Sequence, residues 1–221
     1  MDQSNDIVNT LALTLGASWA SGINLYAAIL ALGIMGSMGA MDLPPGLEIL
    51  SDPMVIAAAG FMYFVEFFAD KTPGLDTGWD AIHTFIRIPA GAMLAAGAVG
   101  DVAPAAEFAA FLVGGGIAAT AHATKAGSRV LINTSPEPVS NWTASIAEDI
   151  TVFGGIWAAL NYPWAFLAFF ILFMLVMIWA LPKIWRGIKA VGRKIRGWFG
   201  GGRTPQSPAG TVAASDSRKK P

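Results

Sequence analysis

Apolar positions along this chain come in long runs rather than in the strict alternation of a strand. Six such runs stand out, at about 8–36, 53–70, 78–99, 104–131, 140–160 and 162–182. Between them lie short joins rich in glycine and proline: "DLPPGLE", "KTPGLD", "GDVAP", "NTSPEP" and "NYP". A helix needs about 20 apolar residues to cross a hydrocarbon core roughly 30 Å thick, and the runs approach or exceed that length. The pattern predicts an all-α polytopic membrane bundle of about six transmembrane helices over residues 1–182. Gly16, Ala20 and neighbouring small residues would let the first helix pack closely.

Composition supports the pattern. Hydrophobic residues make up 54% of the 221 positions and charged residues 13%, too apolar a balance for an ordinary soluble domain. The chain has no cysteine and two histidines, which excludes disulfides and thiolate metal sites and argues against a structural zinc. No cofactor or metal is expected. The start "MDQSND" is acidic, and the first apolar run is longer than the h-region of a signal peptide.

Charge is distributed unevenly. Ten of the fourteen Lys and Arg residues follow Pro182, so the positive-inside rule places the C-terminal segment in the cytoplasm. Six spans then put the N-terminus there too. Ile184, Ile188, Val191, Ile195 and Trp198 recur at helical spacing among basic residues. Residues 183–199 therefore read as a basic amphipathic helix on anionic inner-leaflet lipids, or as an extension of the last span that fixes orientation. Residues 200–221 have no apolar periodicity and read as a disordered tail. The expected partner is the bilayer, with no nucleic acid; the sequence sets no oligomeric state.

Several ionisable side chains fall inside the spans, where each costs about 2.5–3.5 kcal/mol on insertion scales. In "VEFFADKTPGLDTGWDAIHTFIR", Glu66 and Asp70 share a helix face at i, i+4. Asp80, His83 and Arg87 share another, and Arg87 lies roughly 13 Å into its span at 1.5 Å per residue. In "HATKAGSRVLINTSPEPVSN", His122, Lys125 and Arg129 line one face before the proline break. Glu148 and Asp149 follow in the fifth span, with Ser145 on the face of Asp149. All of these fall in the cytoplasmic half under the proposed topology. They predict one polar centre between spans two to five. Asn24, near the middle of the first span, is expected to make an interhelical hydrogen bond.

"WASGINLYA", "EFFADKTPGLDTGWDAIHTFIR" and "HATKAGSRVLINTSPEPVSN" resemble the hallmarks of DUF4126, a family of uncharacterised bacterial inner-membrane proteins. The resemblance covers roughly residues 12–182. It implies a bacterial inner-membrane location and supplies no activity or catalytic residue.

Three functions fit the residues. In transport, Arg87, His122, Lys125, Arg129 and Asn133 would bind an anionic or lipid-linked solute, while Glu66, Asp70, Asp80, His83, Glu148 and Asp149 would pair ions or carry protons. Spans 1–3 and 4–6 would then form an inverted repeat, a common transporter plan. In a scaffold the same charges would pair internally: Arg87 with Glu66 or Asp80, and Lys125 or Arg129 with Glu148 or Asp149. In an intramembrane enzyme, Asp80 and His83 would act as a base beside Ser128 or Ser135, but no established catalytic spacing is present.

Overall fold

The computed structural model describes residues 3–72, 74–100, 102–134 and 138–200. The tail expected beyond Gly200 lies outside the described residues, as do Ser135 and the side chains of Ile195 and Trp198.

Among the described residues six α-helices follow in order: α1 Gln3–Ser37, α2 Pro53–Ala69, α3 Leu75–Ala98, α4 Pro104–Ile132, α5 Pro138–Asn161 and α6 Pro163–Gly200. A 3₁₀ turn, Pro45–Ser51, precedes α2. Among the described residues there is no strand. The boundaries follow local chemistry. Four helices begin on a proline, which has no N–H to leave unpaired and whose φ already suits a helix. Asp52 caps α2 by accepting from Met54 N at 2.7 Å. Gly74, at φ +86°, turns the chain into α3 in a conformation that side chains disfavour.

Helix α1 is the hub. It packs against each of the other five helices and buries residues around most of its circumference, as a helix apolar on every side must. Trp19 meets Phe166 and Phe173 edge-on, with ring centroids 6.2 and 5.4 Å apart. Gly155 makes room for it, since a Cβ there would strike the indole. Helices α3 and α4 pack closely at Gly114, where a Cβ would collide with Ala95. The glycines at 114–116 thus begin a close helix contact.

Large apolar side chains cover the outside, among them Phe61, Phe85, Phe108, Leu112, Leu172 and Trp179. Buried charge and exposed hydrocarbon together invert the arrangement of a soluble domain. Helices α1, α3 and α4, and Pro163–Arg193 of α6, are each long and apolar enough to cross a membrane. The 3₁₀ turn and α2, bent by 69°, make a fifth candidate if taken as one broken span. The remaining expected span, the fifth at 140–160, forms helix α5 but is not among these candidates. Its polar load of Asn141, Ser145, Glu148 and Asp149 accounts for that. Helix α6 continues through Pro182 without a break before the basic segment.

Candidate functional site: a buried cluster of ion pairs

The charged residues of α2, α3, α4 and α5 meet at one end of the bundle. Glu66 and Asp70 close α2, Asp80 lies in the first half of α3 and Arg87 at its middle, Lys125 and Arg129 in the last turns of α4, and Glu148 in α5. Arg87, Glu66 and Arg129 have no exposure to solvent.

Each cation holds more than one carboxylate. The Arg87 guanidinium donates to Glu66 and, at 3.0 Å, to Asp80 Oδ1. Lys125 Nζ donates to Asp70 Oδ2 at 2.7 Å and lies 3.3 Å from both Glu66 and Glu148. Arg129 grips Glu148 through two parallel bonds of 3.2 and 2.8 Å, the strong bidentate arrangement. It also donates to the backbone oxygens of Asp70 and Asn141 at 3.0 and 3.1 Å. Three cations therefore face four carboxylates in one continuous network. Glu66 Oε2, Asp70 Oδ1, Asp80 Oδ2 and Arg87 Nε, all buried, have no hydrogen-bond partner among the described residues.

Both histidines border the cluster, and their partners fix their tautomers. His122 Nδ1 lies 3.3 Å from the Arg87 guanidinium and can only accept there. Its Nε2–H then donates to Thr84 Oγ1 at 2.7 Å, and Thr84 donates onward to Asp80 O. His83 is the reverse: Nδ1–H donates to Trp79 O at 2.9 Å, leaving Nε2 to accept from the Tyr26 hydroxyl at 3.2 Å. Its ring stacks on Trp79.

The predicted pairs are present in both alternatives for Arg87, which takes Glu66 and Asp80 together. Lys125 and Arg129 both take Glu148. Asp149 turns away towards α1, where it accepts from Asn24 Nδ2 at 3.1 Å. Asn133 lies at the edge of the site, donating to both oxygens of Asp76 at 2.8 and 2.9 Å. Asn141 donates to Asn133 at 2.8 Å, and Arg129 ties that chain to the cluster. The two proline-bearing joins are clasped together by these contacts.

Asp76, fully buried, was not among the residues singled out by sequence. An acid in the first turn of a helix reads as a favourable dipole contact. Its place inside the "KTPGLD" join was the only signal. Lys71 donates to Ser145 Oγ at 3.0 Å and to Phe67 O at 3.1 Å. Ser128, weighed as a nucleophile, donates to Lys125 O at 2.7 Å. Asp80 is bound to Arg87 rather than His83. No metal-holding group of three or more His, Asp and Glu occurs among the described residues.

A cavity of about 210 Å³ opens between α1, α4, α5 and α6. Lys125 and Glu148 are its charged lining residues, beside Thr124, Ser128, Thr151 and Phe173. Glu148, with 17% of its side chain exposed, is the most accessible cluster carboxylate. Arg87 does not reach this cavity.

The sequence profile of a domain of unknown function, DUF4126, matches residues 11–183. The chain belongs to the DUF4126 family. The whole cluster and the four helices that carry it, α2 to α5, lie inside the DUF4126 segment, while the basic overhang of α6 lies beyond it. No curated protein and no solved structure matches the chain.

Proposed function

We propose that the protein is a proton-coupled transporter of a small anionic solute in the bacterial inner membrane, with both termini in the cytoplasm. The observation that carries this reading is the cavity whose charged lining is Lys125 and Glu148. A proton arriving on Glu148 neutralises the carboxylate shared by Lys125 and Arg129. Lys125, which lines the cavity, then has one fewer charged partner and can receive an anionic group, and the proton and anion enter together with no net charge. The excess of one carboxylate over cations supports the same reading. An unbalanced buried charge is costly, so the network has a resident place for a proton. The cavity is smaller than the about 300–1,000 Å³ of drug-sized ligand sites, which favours a small anion over a lipid-linked one. The non-helical Asn24 inside α1 and the bent approach to α2 supply the interrupted helices common in transporters. An inverted 3+3 repeat would supply the rocking halves.

The test uses purified protein with inorganic phosphate, acetate and succinate as probe anions. Binding, followed by thermal shift, is expected to strengthen as pH falls in the wild type. Glu148→Gln mimics the protonated carboxyl and is expected to bind as tightly at pH 8 as the wild type does at low pH. In proteoliposomes an inward anion gradient should acidify the lumen with wild type and not with Glu148→Gln. Absence of any anion-driven proton movement across the panel would refute the reading.

The pairing of Arg87, Lys125 and Arg129 each with two or more carboxylates favours a second reading, a static clamp holding four helices together. On that reading Glu148→Gln lowers stability and no probe anion shifts the melting temperature.

A further inference from the structure

A larger opening lies on the opposite face of α4. It is a groove of about 670 Å³ between α3, α4 and α6, lined by residues such as Ala81, Ala123, Gly127, Ile178, Trp185 and Ile188. The hydroxyls of Thr77 and Thr120 are its polar elements, and no charged side chain lines it. Its volume falls within the about 300–1,000 Å³ of bound-ligand sites.

The groove has one charged end. Gly127 of α4 faces Ile184 of α6, and Leu131 faces Gly187, so the two helices run parallel here. Helix α4 stops at Ile132, whereas α6 continues to Gly200. At 1.5 Å per residue, α6 overhangs the end of α4 by about 18 Å. The overhang and the turn before it carry Lys183, Arg186, Lys189, Arg193 and Arg196, all exposed. No Asp or Glu occurs anywhere between Pro163 and Gly200. Lys189 Nζ stands 5.3 Å over the ring of Trp185, a wall of the groove. The nearest cations are thus joined directly to the apolar slot. Tryptophan and lysine at such a boundary match the interfacial depth of a bilayer.

We propose that this groove is a binding site for one anionic glycerophospholipid. Its acyl chains lie along Ala81, Ala123 and Ile178, and its phosphate rests against Lys189 and Arg193. The charge complementarity selects the headgroup, and the uncharged slot accepts the chains. A zwitterionic lipid fills the slot equally well but gains nothing net from the basic overhang. This site is separate from the transport cavity and stands or falls without it.

The test is native mass spectrometry of the full chain released from detergent, with dioleoyl phosphatidylglycerol and dioleoyl phosphatidylcholine as competing probes. Wild type is expected to retain the phosphatidylglycerol about thirty-fold more tightly, given two basic contacts at an anionic headgroup. Lys189→Glu with Arg193→Glu should erase that preference while leaving some retention of both lipids. Ala123→Trp fills the slot and should lower retention of both lipids in proportion. Circular dichroism identifies a variant that does not fold, and the wild-type comparison alone still decides. Equal retention of the two lipids by wild type overturns the site. So does a phosphatidylglycerol preference that survives the double charge reversal, or retention untouched by Ala123→Trp.

Discussion

Arg87 shows what a single buried charge contributes here. It joins α3 to α2 through Glu66 and returns to its own helix through Asp80. Removing one partner of a buried pair strands the other, which costs about 3–5 kcal/mol, whereas removing both can be nearly neutral. Arg87→Leu leaves two cations against four carboxylates. It should therefore lower the melting temperature in detergent sharply, by the equivalent of about 3–5 kcal/mol. Adding Glu66→Gln to that variant restores the original excess of one carboxylate and should recover part of the loss. A single Arg87→Leu variant melting with the wild type would mean that the cluster contributes little to holding α2 on α3.

At the scale of elements, the break in α1 is the feature with most structural consequence. Asn24 leaves the helix at φ −147° and ψ 98°. Its side-chain oxygen accepts from Ala27 N at 3.0 Å, capping the helix that resumes, while its amide reaches Asp149. One side chain therefore both interrupts α1 and fastens α5 to it. Asn24→Leu removes the cap and leaves a buried carboxylate short of a donor, a loss of about 1–3 kcal/mol. Hydrogen exchange should show the Ala27 amide exchanging faster, and unchanged protection there would argue that the break does not depend on the cap. The helix limits themselves were legible, because prolines and glycines mark them: expected limits such as 53–70 and 104–131 differ from those observed by a few residues at most. The convergence of Glu66, Arg87, Lys125 and Glu148 was legible too, because lipid leaves a mid-span charge few places to go. The break at Asn24 was not, since its partner lies 125 residues on and an asparagine in an apolar run fits an unbroken helix equally well. The membrane standing of α5 was less legible for a related reason. The polar residues that the helix turns towards the cluster and α1 lower the apolarity by which a span is recognised.

For the whole molecule, the arrangement of helix ends makes a prediction about sidedness. The cluster sits where α2 ends, α3 begins, α4 ends and α5 begins, so these four helix ends belong to one end of the bundle. Asp76, Asn133 and Asn141 clasp those ends together. The basic overhang of α6 leaves from the same end, because α6 runs parallel to α4. The joins before the 3₁₀ turn and after α3 belong to the other end. If the basic overhang is cytoplasmic, as the positive-inside rule requires, the polar centre opens towards the cytoplasm and the opposite joins face away from it. The chain contains no cysteine, so single cysteines report position without background. Thr72→Cys and Thr134→Cys, both exposed, should resist a membrane-impermeant maleimide in intact cells and react once the inner face is opened. Asp42→Cys and Val102→Cys are expected to react from outside. Thr72 and Val102 labelling from the same side would break the alternation of α2, α3 and α4 across the bilayer. The proton route proposed through Glu148 would then need a different entrance.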